Sequence, residues 1–289
     1  MQDQPTTKLS TSQDAQQDSR SGAFSPKESF LMRLLSWMEP KVKLGEYTVQ
    51  AHFGLTAYFL ILISHVFTAP TDSARAADIH RIAVCMILFG SVTLHEFGHV
   101  LTARRYGVRT SSIVLYPFGG VATLERMPPP RQELWVVLCG PAVNGVVALA
   151  SLAVLALWHL PLGRFLDFSD QPSLLAQILW LNVNILLFNL YPMFPMDGGR
   201  VLRALLGHRL TELRATEVAW KVALIASGAM AMLGLIAHHW ILIAIALMLT
   251  PSGLAEVKAK RAEAREAEET KKRGYRLIIV PNTAKRGPK

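Results

Sequence analysis

The sequence predicts an all-α polytopic membrane protein with about six transmembrane helices and a short membrane-associated β-hairpin after the second helix. Its 289 residues are 51% hydrophobic and only 18% charged, whereas charged residues approach a quarter of a soluble domain. The apolar residues fall in long blocks with few charges. Each block is close to the roughly 20 residues that a helix needs to cross about 30 Å of hydrocarbon.

Six apolar blocks are expected to cross the membrane. One or two such blocks could be buried helices of a soluble protein, but six in one chain are typical of a membrane protein. The last two are separated only by His238 and His239 and therefore predict a tight hairpin. The predicted spans are Tyr47–Thr68, Ile82–Ala103, Leu134–Trp158, Leu174–Pro195, Val218–Ala237 and Trp240–Val257.

The distribution of basic residues predicts the orientation of the chain. The formal net charge is +9, and 26 of the 30 Lys and Arg residues lie in the termini and alternate connecting segments, against 3 in the other connections. This asymmetry is the positive-inside pattern, which places both termini in the cytoplasm. We therefore expect an inner-membrane protein whose basic segments contact anionic lipid, and no nucleic-acid partner.

Composition divides the chain into three parts. Residues 1–28 are rich in Gln, Ser, Thr and Asp, which predicts a disordered cytoplasmic tail. Residues 29–257 form the expected membrane domain. Residues 258–289 are a charged cytoplasmic tail, in which Lys258–Arg273 alternates Lys, Arg, Glu and Ala as in a solvated helix. Both cysteines lie inside predicted spans, so no disulfide framework is expected.

The connection between the second and third spans predicts a β-hairpin. Thr110–Phe118 reads as one strand, Gly119 and Gly120 as the turn, and Val121–Leu124 as a second short strand. The prolines that follow end any regular structure before the third span.

The second span contains the motif His95-Glu96-Phe97-Gly98-His99. Histidines at i and i+4 lie one above the other on a helix, so both imidazoles can reach one Zn²⁺. The intervening glutamate can take a proton from water without occupying the metal. These three residues are the only acidic or basic side chains in the span. Such groups cost about 2.5–3.5 kcal/mol in a bilayer, which favours a function over a polar cluster that joins helices.

Asp197 is the best candidate for a third zinc ligand. It follows two prolines at the cytoplasmic end of the fourth span, where a broken helix can bend it inward. A turn aspartate beside glycines is the plainer alternative. The topology supports the ligand, because His99 lies about 6 Å of helix rise from the cytoplasmic end of its own span. The three candidate ligands therefore reach one depth in the membrane.

Asn144 is a polar side chain well inside the third span, within Gly140-Pro-Ala-Val-Asn144-Gly145. Its amide could donate a hydrogen bond to the oxyanion that forms when water attacks a peptide carbonyl. It could equally hydrogen-bond a neighbouring helix. The sequence leaves both roles open, and we include Asn144 among the candidate catalytic residues.

Taken together, these motifs resemble the site-2 protease family, in particular the six-span branch that includes the stage IV sporulation protease. The resemblance runs from about Lys43 to Gly253. It implies intramembrane proteolysis of transmembrane protein substrates, with His95, His99 and Asp197 as zinc ligands and Glu96 as the catalytic acid-base. The motifs that carry it are the histidine motif of the second span, Phe118-Gly-Gly-Val, Gly140-Pro-Ala-Val-Asn144 and Asn189…Pro192…Asp197-Gly198-Gly199-Arg200.

The resemblance also implies that the strand after the second span pairs with extended substrate, near Ile113 and Leu115. Many members of this branch carry a C-terminal nucleotide-sensing CBS region. We expect none here, because the roughly 32 residues after the last span are too few for one. Whether a regulatory membrane subunit or a homo-oligomer is involved stays open.

Two other functions fit parts of the pattern. A transmembrane metal-ion transporter would also place His and Asp in the membrane, but at several depths along a pathway. A non-catalytic protein that binds membrane helices would have no use for Glu96. The convergence of the ionisable groups at one depth favours the protease.

Overall fold

The computed structural model describes residues 39–117, 119–126, 128–158 and 173–279. The described residues form four strands and seven helices, and the predicted tail 1–28 lies outside them. The strands are β1 (Lys41–Leu44), β2 (Tyr47–Ala51), β3 (Thr110–Tyr116) and β4 (Gly119–Leu124). The helices are α1 (Phe53–Thr68), α2 (Asp72–Arg105), α3 (Pro130–Leu157), α4 (Leu174–Leu190), α5 (Asp197–Leu206), α6 (Glu212–Ile236) and α7 (Trp240–Ile279).

The four strands form one sheet in the order β1-β2-β3-β4. β1 and β2 are an antiparallel hairpin whose turn contains Gly45, with φ at +64°, where a residue without Cβ is favoured. β2 then pairs in parallel with β3, and β3 pairs antiparallel with β4. The sheet therefore joins the segment before the first membrane helix to the segment after the second.

An apolar core fixes the sheet to the first two helices. Ile113 and Leu115 project from β3 and pack with Leu55 of α1 and with Phe89 and Val100 of α2. Ile113 and Val100 are fully buried. This packing holds the sheet against the half of α2 that carries the histidine motif.

Six helices coincide with the six predicted spans, which confirms the predicted fold class. Helices α2, α3, α6 and α7 are long and apolar enough to cross a membrane. Helices α1 and α4 are also apolar but have only 16 and 17 residues, which corresponds to about 24–26 Å of rise. Large apolar side chains on the six helices remain exposed, for example Phe67 of α1 and Ile225 of α6. Lipid is the environment in which such exposure is favourable.

The segment between α4 and α5 is packed rather than free. Met193, Phe194 and Met196 are buried against Ala219 and Ala223 of α6. The small alanine side chains let this non-helical backbone approach the helix closely. The first residue of α5 is thereby held at a fixed position inside the protein.

A buried ion network joins three helices near this point. The Arg203 guanidinium of α5 donates to the carboxylates of Glu133 on α3 and Glu256 on α7. The Arg203 and Glu133 side chains are each only 8% exposed. Removing one partner of such a buried pair typically costs about 3–5 kcal/mol, so the network ties α5 firmly to its neighbours.

Several predicted boundaries were wrong. The first five residues of the predicted span Tyr47–Thr68 form β2, because alternating side chains continue the hairpin into the sheet. Asp72–Arg81, expected in an outer connection, is the start of α2, which Thr71 caps by accepting from the Ala74 N–H. The fourth span stops at Leu190. By contrast, the helix predicted for Lys258–Arg273 is confirmed, because α7 continues through Val257 without a break.

The predicted β-hairpin after the second span is confirmed as β3 and β4. However, Gly119 and Gly120, expected in the turn, begin β4. The expectation that substrate pairs with β3 near Ile113 and Leu115 was wrong. At those residues β3 is paired with β2 on one side and β4 on the other. Within the described residues, β4 is the edge strand on this side of the sheet.

Candidate metal centre

The histidine motif lies in the last third of α2, where the helix is enclosed by α3, α5 and the sheet. His95 and His99 are one turn apart on the same face, and their rings meet edge to face with centroids 4.7 Å apart. His95 is 4% exposed. A helical i, i+4 pair therefore presents two imidazoles to one enclosed point, as the spacing predicts.

Asp197 reaches the same point from α5. Its Oδ2 atom lies 3.0 Å from His95 Nε2 and 3.2 Å from His99 Nε2. The two Nε2 atoms are 3.0 Å apart. Three candidate ligand atoms thus form a nearly equilateral triangle. The fold therefore brings together the three residues for which the distribution of Lys and Arg predicts a common depth.

The triangle fits a small tetrahedral cation. For metal–ligand bonds of about 2.0–2.1 Å, tetrahedral geometry separates ligand atoms by about 3.3 Å. Distances of 3.0–3.2 Å are close to that value. One carboxylate oxygen and two imidazole nitrogens are also a donor set that Zn²⁺ accepts, with a position left for a further ligand. Among the described residues, this is the group of His, Cys, Asp and Glu suited to hold a metal ion.

The other ring nitrogen of each histidine has a buried acceptor. His99 Nδ1–H donates to the Val136 carbonyl oxygen at 2.8 Å. His95 Nδ1–H donates to Asn144 Oδ1 at 2.6 Å. With Nδ1 as the donor in both rings, Nε2 is the nitrogen that is left to bind a cation at the triangle. The buried acceptors beside Nδ1 therefore favour, in both imidazoles, the tautomer that metal binding requires.

Gly140 of α3 leaves room for the triangle. A Cβ atom at this position would lie 2.3 Å from both Cε1 and Nε2 of His99, and 2.9 Å from His95 Nε2. Even an alanine would displace the rings. Gly98 has a related role on α2, because a Cβ there would lie 2.6 Å from the Cys139 carbonyl oxygen. Both glycines permit the close approach of α2 and α3.

Glu96 lies against the outer edge of β4. Its Oε2 atom accepts a hydrogen bond from the Ala122 N–H at 3.0 Å, and the residue is 8% exposed. Gly120 is required beside it, since a Cβ there would lie 2.7 Å from Glu96 Cγ. The carboxylate is thus buried next to the ligand triangle while contacting a backbone that belongs to the sheet.

Asn144 is fully buried and uses both ends of its amide. Its Oδ1 atom accepts from His95, and its Nδ2 donates to Asn182 Oδ1 on α4 at 2.8 Å. Of the two roles left open by the sequence, these contacts favour interhelical hydrogen bonding. The sequence analysis did not predict that Asn182, Gly120 and Ala122 belong to the site. A polar residue in the apolar block of α4 was the available signal for Asn182, whereas the contacts of β4 depend on the fold.

Comparison with known proteins places this geometry in a family. The model of peptidase family M50 matches residues 83–171 and 165–231, which together are just over half of the chain. The chain belongs to peptidase family M50. The match includes the part of α2 with the histidine motif, α3 with Gly140 and Asn144, and α5 with Asp197.

Named relatives agree with this assignment. A zinc metalloprotease of Methanocaldococcus jannaschii is 36% identical over 165 residues, which are 57% of this chain and 46% of that protein. Stage IV sporulation protein FB of Bacillus subtilis is 28% identical over 148 residues, 50% of this chain and 46% of its own. The chain spans about half the length of the curated relatives that it matches.

A solved structure is similar over most of the molecule. The site-2 protease from Methanocaldococcus jannaschii superposes with a TM-score of 0.51 at 29% identity. The alignment covers 76% of this chain and 95% of the other. The fold of this M50 chain is therefore that of a site-2 protease, and the chain is a multi-pass membrane protein.

Proposed function

We propose that the chain is an intramembrane zinc metalloprotease that hydrolyses peptide bonds of transmembrane proteins. The observation that carries the proposal is the triangle of His95 Nε2, His99 Nε2 and Asp197 Oδ2, with edges of 3.0–3.2 Å. It is built on helices of a membrane domain, and the carboxylate of Glu96 is buried beside it. Membership of family M50 supports the same activity.

The residues divide the chemistry between them. When bound by His95, His99 and Asp197, zinc supplies a Lewis acid for the peptide carbonyl and lowers the pKa of the attacking water. Glu96 accepts a proton from that water at its carboxylate. Glu96 then delivers the proton to the departing amine, so the peptide C–N bond breaks and a new C–O bond forms with no net proton change.

Asn144 belongs to this site as a positioning residue. Its Oδ1 atom holds His95 Nδ1–H, and its Nδ2 hydrogen bond to Asn182 turns the amide nitrogen away from His95. The role that these contacts support is orientation of a metal ligand. Donation to an oxyanion, the other role expected from the sequence, would require the second Nδ2 hydrogen.

The substrate is held in extended form along β4. A helical peptide protects its carbonyls by hydrogen bonding, so the substrate must unwind before attack, and its backbone then needs new partners. β4 is an edge strand, and the Ala122 N–H on its outer side faces Glu96. Because Glu96 accepts from the Ala122 N–H, a peptide that adds to this edge by β-augmentation would pair with the neighbouring residues of β4 and pass beside the catalytic carboxylate.

The protein lies in the cell membrane with both termini and the metal centre toward the cytoplasm. The charge asymmetry of the connecting segments supports this orientation. So does the position of the centre, because His99 lies close to the end of α2 at Arg105, a basic end that favours the cytoplasmic side.

The metal-transporter alternative receives less support. A transport pathway needs ligands at successive depths. The described residues offer one such group of ligands, the triangle itself. A transporter would also have no need of Glu96, which lies beside the triangle without being part of it.

The proposal is tested by Glu96→Gln in the full chain, purified and reconstituted with a model transmembrane substrate. Glutamine keeps the shape but cannot accept the proton, so we expect cleavage to fall by about 10²–10⁴-fold. Zinc content should stay near that of the wild type. His95→Ala is the matched loss-of-metal control and should lose both. Undiminished cleavage by Glu96→Gln would refute the mechanism, and cleavage by neither wild type nor variant would refute the proteolytic function.

A further inference from the structure

A chain of buried hydrogen bonds links the metal centre to α4. From His95 it passes to Asn144 on α3 and then to Asn182 on α4. The Asn182 Nδ2 group donates in turn to Ser91 Oγ of α2 at 3.0 Å and to the Ile178 carbonyl oxygen at 2.8 Å. Asn144 and Asn182 are both fully buried, so water does not substitute for any of these partners.

The donor and the acceptor of each hydrogen bond in this series are determined by the last one, between Asn182 and the Ile178 carbonyl oxygen. A main-chain carbonyl can only accept, so the Asn182 amide must turn its Nδ2 toward Ile178. Its Oδ1 atom then faces Asn144 and can only accept from it. Asn144 must therefore turn its own Nδ2 toward Asn182, which leaves Oδ1 for His95.

The last step reaches the metal ligand. An asparagine amide is nearly symmetric in shape, and either of its ends could face His95. If Nδ2 did so, His95 would have to accept at Nδ1, and its proton would sit on Nε2, which points into the triangle. Nε2 would then be unable to bind a cation. Asn144 therefore supports metal binding in only one of its two orientations.

We propose that Asn182 is a positioning residue for the metal centre, which fixes the amide orientation of Asn144 and through it the tautomer of His95. The inference rests on the proposed function only in taking the triangle to be a zinc site. It assigns a task to α4, a helix that contributes no ligand. Outer hydrogen-bond partners of this kind typically change metal affinity by about 10–100-fold.

The test measures zinc affinity of the full chain in detergent by competition with a chromophoric chelator. Asn182→Leu keeps the approximate side-chain shape but leaves Asn144 free to flip, and should weaken zinc binding by about 10–100-fold. Asn184→Leu is the matched control on the same helix, because the Asn184 amide is exposed and bonds only the Trp180 carbonyl among the hydrogen bonds described for it. That control should bind zinc as the wild type does.

Two further variants separate orientation from simple packing. The buried carboxyl of Asn182→Asp is expected to be protonated, so that its O–H can donate to the Ile178 carbonyl while its other oxygen accepts from Asn144. This variant should therefore retain most of the zinc affinity. Asn182→Thr can keep a hydrogen bond to Ile178 within the helix but is too short to reach Asn144. It should weaken zinc binding as the leucine variant does, and it covers the case in which Asn182→Leu fails to fold. In Co²⁺-loaded protein, the visible spectrum should change in Asn182→Thr and not in Asn182→Asp.

The outcomes are distinct. Wild-type zinc affinity in both Asn182→Leu and Asn182→Thr would overturn the inference. Equal weakening in Asn182→Asp and Asn182→Thr would also overturn it, because the oxygen facing Asn144 would then be irrelevant. None of these readouts uses proteolysis. Zinc affinities that rank the variants as expected, together with a wild type that cleaves no substrate, would refute the proposed function and leave the role of Asn182 unchanged.

Discussion

Each of the two histidines donates its Nδ1–H to a buried oxygen, but the two oxygens are of different kinds. His99 Nδ1–H is held by a main-chain oxygen, that of Val136, at 2.8 Å. His95 Nδ1–H is held by a side-chain oxygen, that of Asn144, at 2.6 Å. The first acceptor is present whenever α3 is folded in place. The second exists only if a particular residue type is present and turned the right way.

This difference separates two ways in which the proposed metal site is held, one set by the spacing of the helices and the other by the identity of particular side chains. The support of His99 depends on the distance between α2 and α3, which Gly98 and Gly140 set. The hydrogen bond of His95 depends on two polar side chains, Asn144 of α3 and Asn182 of α4. Substitutions should therefore act on His99 through steric displacement and on His95 through hydrogen bonding.

The largest effect is expected where both histidines are displaced together. In Gly140→Ala the new Cβ would lie 2.3 Å from His99 Nε2 and 2.9 Å from His95 Nε2. Zinc content should fall from about one per chain to near zero, measured by metal analysis of purified protein, because a catalytic zinc site needs its three ligands together. Gly145→Ala is the control on the same helix, since its Cβ would meet only Leu186 Cδ2 at 3.9 Å. Comparable zinc in the two variants would show that Gly140 does not limit the space of the ligands.

A smaller effect should separate the two histidines directly. Asn144→Leu removes the acceptor of His95 and should weaken zinc binding by about 10–100-fold. Val136→Ala removes apolar volume near His99 but leaves its carbonyl acceptor, so zinc affinity should be unchanged although the melting temperature falls. Chelator competition and thermal unfolding of the same preparations measure the two quantities. Loss of zinc affinity in Val136→Ala would mean that His99 is supported by side-chain packing instead.

The smallest effect is expected at the end of the hydrogen-bond chain. Ser91→Ala removes one of two acceptors of Asn182 Nδ2, while the Ile178 carbonyl still fixes its orientation. A single neutral hydrogen bond contributes about 0.5–1.5 kcal/mol to folding. We therefore expect a modest loss of thermal stability with zinc affinity unchanged in a chelator titration. If zinc affinity fell as far as in Asn144→Leu, the Asn182 amide would be oriented by Ser91 and not by the Ile178 carbonyl.

Much of the centre was predictable because its geometry is local or repeated. The spacing of His95 and His99 places them on one helix face, and Lys and Arg counts placed Asp197 at their depth. The sheet was only half predicted. The apolar strand Tyr47–Ala51 runs into α1 without a clear boundary, and short apolar runs do not distinguish strand from helix. Its parallel pairing with β3 joins residues about sixty positions apart, which periodicity does not reveal.

The contacts of Asn182 were beyond sequence analysis for a different reason. A polar residue in an apolar span signals a buried hydrogen bond, but α4 carries Asn182, Asn184 and Asn189, and the pattern does not rank them. In the structure, Asn184 and Asn189 bond carbonyls of their own helix, at Trp180 and Ile185. Only the packing of α4 against α3 distinguishes Asn182, because it brings this amide within reach of Asn144.

The ion network of Arg203 affects which helices can unfold locally. Arg203 lies six residues after Asp197 and contacts Glu133 of α3 and Glu256 of α7. A fluctuation that detaches α5 must leave a buried charge without its partner, at a cost of about 3–5 kcal/mol. Local unfolding of α5 alone is therefore unfavourable relative to joint opening with its neighbours. Amide hydrogens of α5 should exchange together with those of the adjoining parts of α3 and α7, as one cooperative unit.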